Sequence, residues 1–139
     1  MNQTLFLDFD GVLHPTDLVV HSPFNRVELL EEALHSYSPQ IVISSSWRFT
    51  HSFEKLQKLL PNSISKLMIG TTGSPIIGQH ARYKEILAFL SDQSTSSDWR
   101  ALDDSFWEFP SNCSELIRCN PNKGLTNKEV LVLRDWLQS

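Results

Sequence analysis

The chain has 139 residues, with 12 Lys and Arg against 16 Asp and Glu for a formal charge of -4. Apolar content of 40% and charged content of 20% are globular values, which exclude a disordered, collagen-like or coiled-coil chain and fit one domain over residues 1–139 with a continuous core. The acidic balance provides no general electrostatic footprint for nucleic acid.

The stretch L-F-L-D-F-D-G-V-L, Leu5 to Leu13, reads as a buried strand that delivers Asp8 and Asp10 to one sheet edge, with Gly11 turning the chain behind them. Residues i and i+2 of a strand share a face, so both acids are expected to address one bound group. D-x-D-G alone reads equally as a turn capping a strand. An EF-hand loop fits worse, because the glycine stands fourth and no glutamate follows at the twelfth position. Residues 14 to 22 are too few for a domain and suit a flap; His14 follows the acids closely enough to support them, but reads more readily as a surface histidine. From Pro23, with Ser22 as cap, Val27, Leu30 and Leu34 predict a helix to about Tyr37. Q-I-V-I-S-S-S-W-R then predicts a buried strand ending in three serines. Phe53, Leu56 and Leu60 form an amphipathic helix closed by Pro61, and Ile64 to Ile69 reads as a third strand.

Gly70 to His80 is loop, and Tyr83, Ile86, Leu87 and Leu90 follow the helical period up to the polar linker D-Q-S-T-S-S-D. W-R-A-L-D-D-S is a fourth strand ending in Asp103 and Asp104, Glu115 to Cys119 a fifth, and N-P-N-K-G a turn. Thr126 and Glu129 form a capping box for a last helix with Val130, Leu133 and Leu137 inward. Trp99, Trp107 and Trp136 are expected in the core rather than as base-stacking platforms. Strands alternating with helices give an α/β, three-layer Rossmann-like domain with a mainly parallel five-stranded sheet. Cys113 and Cys119 lack metal-ligand spacing and read as reduced thiols. With no basic leader and no membrane-length apolar run, a cytoplasmic location without a membrane partner is expected.

In a parallel sheet all carboxyl ends lie on one edge, and ligands bind where the strand order reverses. Asp8, Asp10, Ser44 to Ser46, Asp103 and Asp104 would meet there. Four carboxylates with a hydroxyl and a nearby Arg or Lys suit Mg²⁺ and a phosphate, hence phosphoryl transfer through an aspartyl-phosphate.

D-F-D-G-V, S-S-S-W-R, R-Y-K-E-I and L-D-D-S, in that order, resemble the signature of haloacid dehalogenase-like (HAD) phosphohydrolases. S-W-R, R-x-x-E-I, L-D-D and N-K-G-L-T are most similar to the small capless HAD domain of bacterial RNA-repair proteins. The resemblance implies Asp8 as nucleophile and Asp10 as acid and base. It further implies Ser45, or Ser44 or Ser46 if the strand register differs by one, with Arg82 or Lys84 on the phosphate, and Mg²⁺ held by Asp8, the Asp10 carbonyl, and Asp103 or Asp104. Arg48 stands beside the serines and either touches substrate or packs along Trp47. The absence of room for a cap suits a phosphate on a large molecule, so polynucleotide ends, RNA above all, and RNA-repair partner proteins are the expected partners. Such a groove would draw on Arg48, Arg82 and Lys123. Other classes are a small-metabolite phosphatase, a non-catalytic phosphate-binding module, and a phosphoacceptor receiver domain, which carries its acceptor aspartate on a middle strand.

Overall fold

The computed structural model describes residues 3–17, 22–93 and 98–139. Five strands, β1 (Gln3–Leu7), β2 (Gln40–Ile43), β3 (Met68–Thr71), β4 (Asp98–Asp103) and β5 (Leu116–Arg118), form one sheet in the order β3-β2-β1-β4-β5. Every pairing is parallel. Helices α1 (Val27–Leu34), α2 (Phe53–Leu59), α3 (Asn62–Ser65), α4 (Ala81–Asp92) and α5 (Asn127–Gln138) connect and cover it. The order runs outward from β1 in one direction and then restarts with β4, so the switch point lies between β1 and β4. A receiver-type order, 2-1-3-4-5, is not what this chain adopts.

Strand alternation divides the core into two. Leu5 and Leu7 of β1 join Ile41, Ile43, Leu102, α1 and α5 on one side, while Phe6, Val42 and Ala101 meet Ile86 of α4 and Phe109 on the other. This parity also fixes the site. Asp8, Ser44 and Asp103 follow the parity of Phe6, Val42 and Ala101, so they belong to the face covered by α4.

The first helix is shorter than its hydrophobic period suggests. Phe24 sits at φ 59 and Ser36 at φ 74, so left-handed turns bracket the helical run, and Arg26 rather than Ser22 precedes it. Ile64 to Ile69 is not one strand. Asn62–Ser65 forms a short helix after Pro61, whose fixed φ suits a helix start, and buries Ile64; the strand begins only at Met68. Leu87, expected inward, is exposed on α4. The capping box of Thr126 and Glu129 is present, and Val130, Leu133 and Leu137 are buried. The flap expected over residues 14 to 22 and the linker after α4 fall partly outside the described residues. Between β3 and α4 stands only the loop 72–80. Both cysteines are free, and burial raises their pKa values. Among the described residues no helix is long and apolar enough to cross a membrane.

Candidate active site

At the switch point the chain leaves β1 at Asp8 and β4 at Asp103 and Asp104. One carboxylate oxygen from each of these three acids lies within 4.8 Å of the others. Such proximity is possible because Gly11, at φ 77, has no Cβ: a methyl group there would run into the Asp104 carboxylate. Arg82, in the first turn of α4, closes the cluster from the facing layer. Its guanidinium donates to Asp103 Oδ2 at 2.8 Å and stands 3.5 Å from Asp8 Oδ1.

Burial, then Asp103, drives the Asp8 carboxyl well above the usual carboxylate range, with Arg82 opposing them. Burial likewise pushes Asp103 up to about 6 against the pull of Arg82. For Arg82 burial works against the charge, yet Asp103 and Asp8 outweigh it and its pKa is raised. The three acids thus present hard oxygen donors with too little positive charge beside them, the chemistry of a Mg²⁺ site, and they fit that ion.

Asp10 does not join this cluster, contrary to the reading of D-x-D as two acids on one strand face. β1 ends at Leu7, and beyond it the Asp10 carboxylate turns outward. Oδ1 meets His14 Nε2 at 2.8 Å and Oδ2 accepts the Trp47 indole N–H at 3.1 Å. The Phe24 N–H donates to His14 Nδ1 at 3.1 Å, so the ring proton belongs on Nε2, where it is donated to Asp10. His14 is fully buried, not a surface residue. Its ring and Trp47 pack with Phe9 and Phe24 in an aromatic cluster.

The serines after β2 divide. Ser45 is buried, and its Oγ accepts the Trp47 backbone N–H at 3.2 Å, capping the 3₁₀ turn Ser46–Phe49 and leaving its own proton to give. Ser44 Oγ is buried with no hydrogen-bond partner among the described residues, and Ser46 is exposed.

Arg48 is committed elsewhere. It donates to Glu85 Oε1 at 2.9 Å, to Ser45 O at 3.0 Å and to Gly73 O at 3.1 Å, and stacks on Phe49 rather than Trp47. Glu85, buried on α4, also accepts the Ile76 N–H at 3.0 Å. This pair clamps the β2 turn to α4 and the loop before it. Burial lowers the Arg48 pKa while Glu85 opposes the shift. Lys84, two residues after Arg82, is exposed and lies toward Gly78, so α4 brings Arg82 and not Lys84 to the acids.

Over residues 4–130 the sequence matches the family described as HAD domain in Swiss Army Knife RNA repair proteins. The chain belongs to this family. No curated protein and no solved structure matches it. For this HAD domain, three features escaped sequence reasoning. Trp47 lacks any local pattern that points to Asp10, and His14 offers only its nearness to the D-x-D stretch, four residues on. The R-x-x-E spacing that carries Glu85 is visible, but its partner Arg48 stands 37 residues away. Trp107, expected in the core, is 63% exposed beside Phe106 at 57%, in the segment that joins β4 to β5.

Proposed function

We propose that this protein is a Mg²⁺-dependent phosphomonoesterase that forms an aspartyl-phosphate on Asp8 and acts on terminal phosphates of RNA. The observation that carries the reading is the convergence of Asp8, Asp103 and Asp104 within 4.8 Å at the switch point, with Arg82 bridging Asp8 and Asp103. Carboxylates packed this tightly are costly unless a cation uses them.

In this reading the Asp8 carboxylate attacks phosphorus and the ester oxygen leaves on the opposite side. Asp10, half-exposed at the mouth and held by Trp47 and His14, protonates the leaving oxygen. It then takes a proton from the water that opens the acyl-phosphate. Arg82 faces the phosphoryl oxygens, with the Ser45 hydroxyl as a further donor. Asp8, Asp103 and Asp104 would hold Mg²⁺, with the Asp10 carbonyl as the family resemblance has it; when bound, the ion supplies positive charge against the clustered carboxylates and the phosphate. The open edge suits a phosphate on a large molecule, and the family is described by its RNA repair proteins. Arg48 is removed from any nucleic-acid groove by Glu85; Arg82, Arg118 and Lys123 remain for it.

The test is phosphate release from 3′- and 5′-phosphorylated oligoribonucleotides, nucleotides and sugar phosphates, with Mg²⁺ and with chelator. Expected is Mg²⁺-dependent release from an oligonucleotide, lost in Asp8→Asn and falling with added salt more steeply than for a sugar phosphate. Full activity in chelator would overturn the mechanism. A sugar phosphate far better than every oligonucleotide would overturn the substrate.

A further inference from the structure

Directly beyond Asp103 and Asp104 the chain exposes two adjacent aromatic side chains, Phe106 at 57% and Trp107 at 63%. They are ordered with respect to each other. The rings meet edge to face at 5.3 Å, and the Arg118 guanidinium lies 4.6 Å from the centre of the Phe106 ring. Phe106 is therefore occupied, while the indole of Trp107 is held outward by its neighbour. Both border a cavity of about 630 Å³ that is also lined by Gln79, His80, Asn112 and Arg118.

This cavity is tied to the catalytic edge at three points. Phe106 follows Asp104 by two residues, a Cα span of at most about 7 Å. His80 precedes Arg82 by two residues, and Tyr83 N–H donates to Glu108 O at 3.1 Å, fastening the start of α4 to the aromatic segment. Arg118 is the register partner of Asp103 across β4 and β5. An apolar face left in water beside a phosphate site, with one cation and amide and imidazole groups around it, matches a nucleobase better than a protein segment. Bases offer a π-face, a polar edge and a neighbouring phosphate.

The geometry points to a base-stacking subsite: Trp107, buttressed by Phe106 and Arg118, receives a base of a single-stranded polynucleotide whose terminal phosphate lies at Asp8. The inference rests on the phosphatase reading above and specifies its substrate as an unpaired end. Stacking of one base is worth about 1–3 kcal/mol, roughly 5- to 150-fold in affinity.

The experiment compares kcat/KM for a phosphorylated single-stranded oligonucleotide with that of the same oligonucleotide carrying abasic sugars in its last two positions, in the wild type, Trp107→Phe and Trp107→Ala. Expected is an advantage of about tenfold or more for the intact oligonucleotide in the wild type. Trp107→Phe should keep part of it, and Trp107→Ala should reduce it to about one, with thermal unfolding unaltered. Titration of the same oligonucleotides onto Asp8→Asn protein, read by indole fluorescence, should show the same order without turnover. A wild-type ratio near one, or a ratio that survives Trp107→Ala, overturns the subsite while leaving the phosphatase intact. Release of phosphate from no oligonucleotide overturns both readings. A dimer in sedimentation that Trp107→Ala turns into a monomer would assign the patch to a second copy of the chain and overturn the subsite.

Discussion

Trp47 gives its indole N–H to Asp10 Oδ2 at 3.1 Å across 37 residues of sequence. The bond links the turn after β2 to the turn after β1, and with His14 on Oδ1 it leaves the Asp10 carboxylate no freedom to rotate. A group that must hand a proton to a leaving oxygen gains from being held so.

Trp47→Phe keeps the ring among Phe9, Phe24 and His51 but removes the donor. In single-turnover phosphoenzyme formation it should slow an alkyl phosphate roughly 3- to 30-fold, a part of the 10²–10⁴ that acid-base catalysis supplies. A nitrophenyl phosphate, whose phenolate leaves without a proton, should be slowed much less. Equal slowing of both esters would show that Trp47 acts on the site as a whole and not on Asp10.

Asp8 and Asp103 predict an inverse pH dependence of stability for the metal-free protein. Burial raises both, Asp103 from 3.8 to about 6, so the folded state retains protons that the unfolded chain releases. Stability is then fullest below pH 4 for these groups and falls as pH rises through about 6. In chelator, melting temperature should decline from pH 5 to pH 8, and Asp8→Asn should raise it at pH 8 while abolishing turnover. Mg²⁺ should restore the wild type at pH 8 and do less for the variant. A melting temperature that climbs over this range would contradict the environment assigned to the two acids.

Arg82→Lys keeps a charge but not the planar fork that reaches both Asp103 and Asp8. Its kcat/KM should fall about tenfold or more, since losing a charge-assisted bond costs roughly 1.5–3 kcal/mol. Lys84→Ala should stay within about threefold, as expected for an exposed helix charge. Comparable losses in the two variants, measured on one substrate, would reverse their assignment.

Removing Arg48 strands the buried Glu85 and three backbone carbonyls within reach of the guanidinium. Arg48→Ala should destabilise the fold by about 3–5 kcal/mol. The double variant Arg48→Met, Glu85→Leu should recover much of this, because it leaves no lone buried charge. Denaturant unfolding of the three proteins measures the difference; a single variant as stable as the wild type would show that the clamp is dispensable.

The alternation of strand and helix patterns was enough to put Asp8, Ser44 to Ser46, Asp103 and Asp104 on one edge. Parallel strands joined by helices have no other way to align their carboxyl ends. The choice between Arg82 and Lys84 was not open to that reasoning alone. Two residues on a helix differ by about 200°, so only one can face the sheet, and the buried Glu85 and Ile86 show which: Arg82 precedes them by three and four residues on the same stripe. The tertiary structure alone decided what Asp10 does. A strand period would send it beside Asp8, but the last bond to β4 is the one from Asp8 N–H to Leu102 O, and local periodicity carries no information past it. Its partners come from residues 14 and 47, whose aromatic and imidazole character the sequence displays without saying what they touch. The same holds for Trp107. Composition favours burying an indole, but that depends on a neighbouring face being free to cover it, and here Trp107 has only the edge of Phe106 against it and stays 63% exposed.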